Sequence, residues 1–363
     1  MPPRKGTTRR RTQTESPALS PKPSSPLPEP FEEQQVQQQK PSSTRRCCSS
    51  FLQWIGIVTS SLFLSTVLFS LNTPVTEGDL AWTSRRLGSW WEVGGLLAWR
   101  AVELTVAWAL GYDAKDVACL IGLVNMPTYS LLENFYNIRP TTIASVVTIT
   151  IFSAAFPFIY LRHRSTVRAD TTSSAVAQAP IISDTPTTIY TTTAATLIYT
   201  VCLYLSFATW LAAYLITHYD GLPDIRVAHA GPRGFVSTFF RLILAGYAIR
   251  YFLFVSSARL QQRAEESTPA TTTTPRKTDN DPGELLIASL YRRYWLGCRD
   301  NTRVLISRTA VLATLMLLNT TVQIIGTVSG ADLEGALGWA AVWTVATVIT
   351  GAVFWWIEVV DVV

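Results

Sequence analysis

Residues 51–71 read FLQWIGIVTSSLFLSTVLFSL, twenty-one consecutive positions without a charged side chain. As a helix rising about 1.5 Å per residue, such a run is long enough to cross the roughly 30 Å of hydrocarbon in a bilayer. Arg45, Arg46 and the pair Cys47 and Cys48 stand directly before it. The rest of the chain reads as further crossings of the same membrane.

The composition agrees with that reading. Hydrophobic residues make up 48% of the 363 positions and charged residues only 15%, well below the quarter usual in soluble domains. The apolar residues gather in blocks of about 20, the length of a spanning helix. Seven blocks follow the first, at residues 90–110, 116–136, 141–161, 193–216, 235–255, 304–325 and 338–359. The blocks at 90–110 and 116–136 are the more polar ones. The expected architecture is an all-α polytopic membrane protein with about eight transmembrane helices, six being the fallback if those two segments dip into the membrane without crossing it. Residues 1–50, Pro-rich and then Gln-rich, lack any apolar period and read as a disordered N-terminal tail. Behind that tail, residues 51–163 hold helices one to four. A Thr/Ser-rich loop follows at 164–192, then helices five and six at 193–255. A second loop at 256–303 carries an amphipathic, interfacial helix at 284–298, and the last two helices occupy 304–363.

Orientation follows from charge. Of the 30 lysines and arginines, 21 fall in the tail and in the loops on its side, against 5 (Arg85, Arg86, Arg139, Arg226, Arg233) in the opposite loops. The positive-inside rule therefore predicts cytoplasmic N- and C-termini, in an endomembrane or the plasma membrane. No basic groove interleaved with aromatics is present, so nucleic acid is not an expected partner. The expected partners are the lipid bilayer and other membrane proteins reached through the cytoplasmic segments. Five cysteines make no disulfide framework. Cys47 and Cys48, next to the first span, are candidates for S-acylation.

Few residues offer chemistry. Arg100 and Glu103 stand three apart, share one helix face and fall mid-segment. An ionisable pair at membrane depth either lines a cavity or neutralises itself as a structural pair. Glu133 belongs with them as a candidate intramembrane polar site, because Asn125, Pro127 and Glu133 interrupt the third segment, and a broken helix can open backbone groups to a substrate. Arg241, Arg250 and Arg308 lie near span ends, where long cationic side chains snorkel to the headgroups. The loop HYDGLPDIRVAHAGPRG holds His218, His229, Asp220 and Asp224, but their spacing matches no metal motif. No Gly-rich phosphate loop, G-x-S-x-G or Cys-x-x-Cys is present, and no catalytic residue, metal or cofactor is expected.

NMPTYSLLENFYNIRP (residues 125–140) and AAFPFIYLR (154–162) resemble a group of uncharacterised polytopic membrane proteins of filamentous fungi. HYDGLPDIRVAHA (218–230), AIRYFLF (248–254) and TRVLISRT (302–309) are similar to the same group. The resemblance runs from about residue 88 to the C-terminus and implies a shared multi-helix fold, with no activity attached to any residue.

The functional expectation is a non-enzymatic membrane scaffold or assembly component. The alternative is a small-solute or lipid transporter with Arg100, Glu103 and Glu133 facing a cavity, and a lipid-modifying enzyme built on the His218–His229 loop comes third. If the solvent assignment holds, the protein should stay in the membrane pellet after alkaline carbonate extraction. Protease added outside sealed cells should leave the first fifty residues uncut.

Overall fold

The computed structural model describes residues 43–76, 78, 84–85, 88–166, 185–224, 226, 231–255 and 300–360. Most of the expected tail, the greater part of the 164–192 loop, the 284–298 helix and His229 lie outside the described residues. Cys47 and Cys48 fall within the first helix, but their side chains are not described. By its internal contacts the chain divides into Met1–Arg46 and Cys47–Val363, and the helical bundle is the second unit.

The described residues are helical throughout, apart from turns and two isolated bridges. In chain order the helices are α1 (Ser43–Thr76), α2 (Trp90–Ala109), α3 (Ala114–Phe135), α4 (Pro140–Thr166) and α5 (Thr185–Ser206). A π-turn at Phe207–Leu211 carries α5 into α6 (Ala212–His218). Then come α7 (Gly231–Arg250), extended by a second π-turn at Tyr251–Val255, α8 (Asp300–Thr327) and α9 (Leu333–Val360). Six helical runs among the described residues are long and apolar enough to cross a membrane: Phe51–Thr76, Pro140–Leu161, Thr185–His218, Gly231–Val255, Thr302–Thr327 and Leu333–Val360. Large apolar side chains crowd their outer faces, with Leu244 at 77% and Phe63 at 72% exposure. Exposure of that kind over whole helix faces suits lipid and not water.

Local sequence explains the helices. Hydroxyl residues inside apolar runs bond to carbonyls of the preceding turn, as Ser60 does to Gly56 O at 2.6 Å and Thr191 to Thr187 O at 2.6 Å. A threonine-rich stretch can therefore be helical where water is absent. For this reason α5 begins at Thr185, whereas hydropathy alone delays the span to residue 193. At α2, Ser89 caps the Trp91 N–H, and Glu92 accepts from the Gly88 N–H at 3.1 Å. Ser89 and Glu92 thus act much as a capping box.

Contacts along the helices fix their directions. Asn72 of α1 donates to Ser145 of α4, and Gly56 lies against Leu161, so α1 and α4 are antiparallel. Asp116 of α3 meets Arg308 of α8, and about two and a half to three turns further on Asn125 meets Asn319; these two helices run parallel. At the end where α3 finishes, four connections are tied by backbone hydrogen bonds. Asp224 N–H donates to Phe135 O, Asp220 N–H to Gly330 O, Asp332 N–H to His218 O and Arg85 N–H to Thr327 O. Although α2 and α3 are too polar to qualify as spans on composition, α3 lies along α8 through most of the bundle's depth, and more than half of its residues are buried.

The aromatic core lies where α3, α5 and α9 meet. Phe135 packs edge-on to Trp339 with centroids 5.9 Å apart, Trp343 follows one turn later, and Tyr199 packs on Trp343. At Gly246 helices α7 and α5 approach so closely that a Cβ would sit 2.0 Å from Thr196 Oγ1 and 2.9 Å from Thr192 O. Gly246→Ala should therefore lower the thermal midpoint in detergent, at a cost of about 1–3 kcal/mol for overpacking. Gly94→Ala, whose Cβ would meet nothing within 4 Å, should leave the midpoint unchanged or raise it.

Candidate functional site

Polar groups on helices of a membrane bundle must find partners inside the protein, because hydrocarbon supplies none. Here they form three clusters.

The first sits at mid-depth. Arg100 Nη1 donates to Glu103 Oε2 at 2.8 Å, and Arg100 Nη2 donates to Thr150 O of α4 at 3.1 Å. Thr150 Oγ1 is 3.1 Å from the Tyr129 hydroxyl of α3. One residue before Arg100, Trp99 donates its indole N–H to Asn319 Oδ1 at 2.8 Å. Asn319 Nδ2 in turn reaches Val124 O and Asn125 Oδ1, while Gln323 Nε2 donates to Asn125 Oδ1 and to Asn319 Oδ1. Asn125 closes the set by donating to Ile121 O at 2.7 Å. Three helices (α2, α3, α8) are thereby joined by amide and indole groups, with Pro127 O accepting from Trp339 of α9 at 2.9 Å.

The second cluster ties the start of α3 to α8. Arg308 Nη2 donates to Asp116 Oδ2 at 3.0 Å, and Nη1 donates to Phe252 O in the second π-turn at 2.9 Å. The guanidinium carbon lies 4.9 Å from the Tyr112 ring centroid and 5.1 Å from that of Phe252, a cation held between two aromatic faces. Burial pushes the Tyr112 phenol up to about 12, against the pull of Arg308 and together with Asp116. It therefore stays neutral at physiological pH.

In the third cluster Arg250, buried against α5, donates to Thr191 Oγ1 at 2.8 Å and Thr188 Oγ1 at 2.9 Å.

The structure thus brings Arg100 and Glu103 together and sends Glu133 elsewhere. Glu133 pairs with Arg241 of α7 at 3.4 Å, and Arg241 also donates to Asn134 Oδ1. Snorkelling does not describe Arg250 and Arg308, each only 4% exposed. Both turn inward because hydroxyl, carboxylate and carbonyl acceptors lie within the bundle. The Asp116–Arg308 pair has no local sequence signal, since its members stand 192 residues apart. The buried Asn319 amide is the asparagine of the chain's one N-x-Ser/Thr sequence. At the end of α6, His218 packs on Tyr214 with the two rings tilted and lies 4.0 Å from Glu334, while in the connection that follows Asp224 Oδ1 accepts from the Arg226 N–H. Among the described residues no three His, Cys, Asp or Glu gather as a metal site would require.

The stretch from α5 into α9 is similar to a known family. Residues 184–357 match the family model of the bouquet formation protein 3 C-terminal domain. The similarity covers just under half of the chain and takes in Arg250, Arg308 and Asn319, whereas Arg100, Glu103, Asn125 and Asp116 precede it. Neither the curated proteins nor the solved structures contain a match for this chain. The boundary of the match therefore cuts through the clusters: α3 supplies Asp116 and Asn125 to partners on α8.

Breaking the buried ion pair by Asp116→Ala should cost about 3–5 kcal/mol, as removal of one partner from a buried pair usually does. Adding Arg308→Met should recover most of the folded yield, read by size-exclusion of the detergent-solubilised protein.

Proposed function

We propose that the chain is a non-enzymatic, multi-pass membrane component in bouquet formation, an assembly subunit whose helices anchor its cytoplasmic segments. In this reading all eight long helical segments cross the bilayer, with both chain ends cytoplasmic and the tail and the 256–303 loop recruiting partners. The observation that carries it is the central network of Trp99, Asn125, Asn319 and Gln323. These groups bond to one another across helices, as befits a rigid anchor. The name of the matched family supports the process, and the distribution of Lys and Arg supports the orientation.

One observation favours transport as the second reading. Glu103 is 1% exposed and its Oε1 makes no hydrogen bond among the described residues, so a protonatable oxygen is held ready beside Arg100.

Proximity labelling with affinity purification separates the two readings. Under the anchor reading, replacing residues 1–40 by a neutral linker should remove most co-purifying membrane proteins. Arg100→Gln combined with Glu103→Leu should keep them. The transporter reading expects the reverse: the double variant abolishes solute flux in reconstituted vesicles, and the tail exchange changes nothing.

A further inference from the structure

The π-turn at Tyr251–Val255 closes α7, and a side chain from another helix holds it. The last carbonyls of a helical run lack N–H partners of their own. Here the Phe252 carbonyl, three residues before the end of the run, accepts from Arg308 Nη1 at 2.9 Å. The other arm of the same guanidinium donates to Asp116 Oδ2 at 3.0 Å. Its carbon lies 5.1 Å from the Phe252 ring centroid and 4.9 Å from that of Tyr112, and the two rings meet edge-on at 5.4 Å. One buried side chain in the first third of α8 thus joins the exit of α7 to the entry of α3. A cation at the carboxyl end of a helix also meets the negative end of its dipole.

A π-turn is a wide, rare form of helix, met mostly as a single turn and often where a protein moves. The earlier one, at Phe207–Leu211, is continued by α6, which is packed on α9, so it is held from both sides. The second is the last turn of its run. It can relax to α geometry without moving any packed helix beyond it, as element ends do when they serve as hinges. What opposes that relaxation is local. Phe252 and Leu253 are wholly buried and Val255 is 7% exposed, but the wall against which Phe252 packs includes Tyr112 and the Arg308 guanidinium itself. The hydrogen bond and the packing therefore stand or fall together.

We propose that Arg308 is a register lock for the exit of α7. Its hold on the Phe252 carbonyl keeps the turn in π geometry. Release lets the turn become α-helical and swings Val255 round the axis by about the arc of one residue, ~100°. The lock is a positioning device and does not depend on which side of a membrane this end faces. That it aims a cytoplasmic segment rests on the orientation proposed above.

The test uses full-length chains in detergent, with the five native cysteines replaced by serine. A single Val255→Cys reports the turn, and a single Leu312→Cys, wholly buried one turn beyond Arg308 on α8, reports the bundle. Asp116→Ala with Arg308→Met, the combination expected to stay folded, removes the lock. Maleimide should label Val255→Cys slowly in the otherwise native chain and about tenfold faster or more in the double variant, the scale of a lost charged hydrogen bond. Leu312→Cys should label equally slowly in both. Arg308→Lys alone keeps a charge beside Asp116 but replaces the fork by a point donor, and should give an intermediate rate at Val255→Cys. It also supplies the readout if the double variant does not fold. Unchanged labelling of Val255→Cys would mean that packing alone sets the register, and faster labelling at both cysteines would mean that Arg308 merely supports the bundle. Either result overturns the lock.

Discussion

The side-chain amide of Asn319 holds three helices at once. Its oxygen takes the Trp99 indole proton from α2, and its nitrogen reaches the Val124 carbonyl and Asn125 of α3 from its own place on α8. In water each of these groups would exchange partners with solvent at little net cost. Inside hydrocarbon an unmatched amide costs several kcal/mol, so the set closes on itself or the helices separate. The polar groups at mid-depth therefore specify which helices meet and at what height. Apolar packing alone, with lipid tails as competitors, specifies much less.

That constraint accounts for the placement of α3. With Asp116, Asn125 and Glu133 it is a poor lipid-facing helix, and it is among the most buried in the bundle. Its polar side chains turn to α8 and α7, and its aromatic end, Phe135, enters the cluster with Phe207 and Trp339. The chain is also pinned at both ends of this helix. Asp116 holds Arg308 at one end, and the Phe135 carbonyl accepts from the Asp224 amide at the other. The boundary of the matched family region falls between α4 and α5, yet these contacts join the two sides of it.

Much of this was legible in the sequence, in proportion to how local the signal was. The six apolar runs stand out because hydropathy is a property of consecutive residues. Arg100 and Glu103 are recognisable as a pair because three residues along a helix bring two side chains together. Arg308 is different: its carboxylate lies on another helix nearly two hundred positions away, and nothing near residue 308 announces it. Proximity to a span end suggests a side chain reaching for headgroups, whereas acceptors within the bundle turn Arg250 and Arg308 inward. Glu133 joins Arg100 and Glu103 in the sequence because it helps interrupt the third segment, but position along a helix without azimuth does not decide a partner, and the carboxylate faces Arg241. The early start of α5 was hidden because hydropathy scores threonine as polar, while its hydroxyl can be satisfied by its own helix.

The two π-turns carry a structural accounting of their own. Each makes a wider loop of backbone than an α-helical turn, in effect one surplus residue, and such a residue advances everything beyond it by about 100° around the axis. At Phe207–Leu211 that surplus lies between Tyr199, which faces α9 through Thr347, and His218, whose carbonyl accepts from the Asp332 amide. A lineage that lost one codon there would keep the same hydropathy profile. It would nonetheless rotate Tyr214, His218 and Tyr219 off the α9 surface they now cover, so the length of this segment is under tighter constraint than its composition.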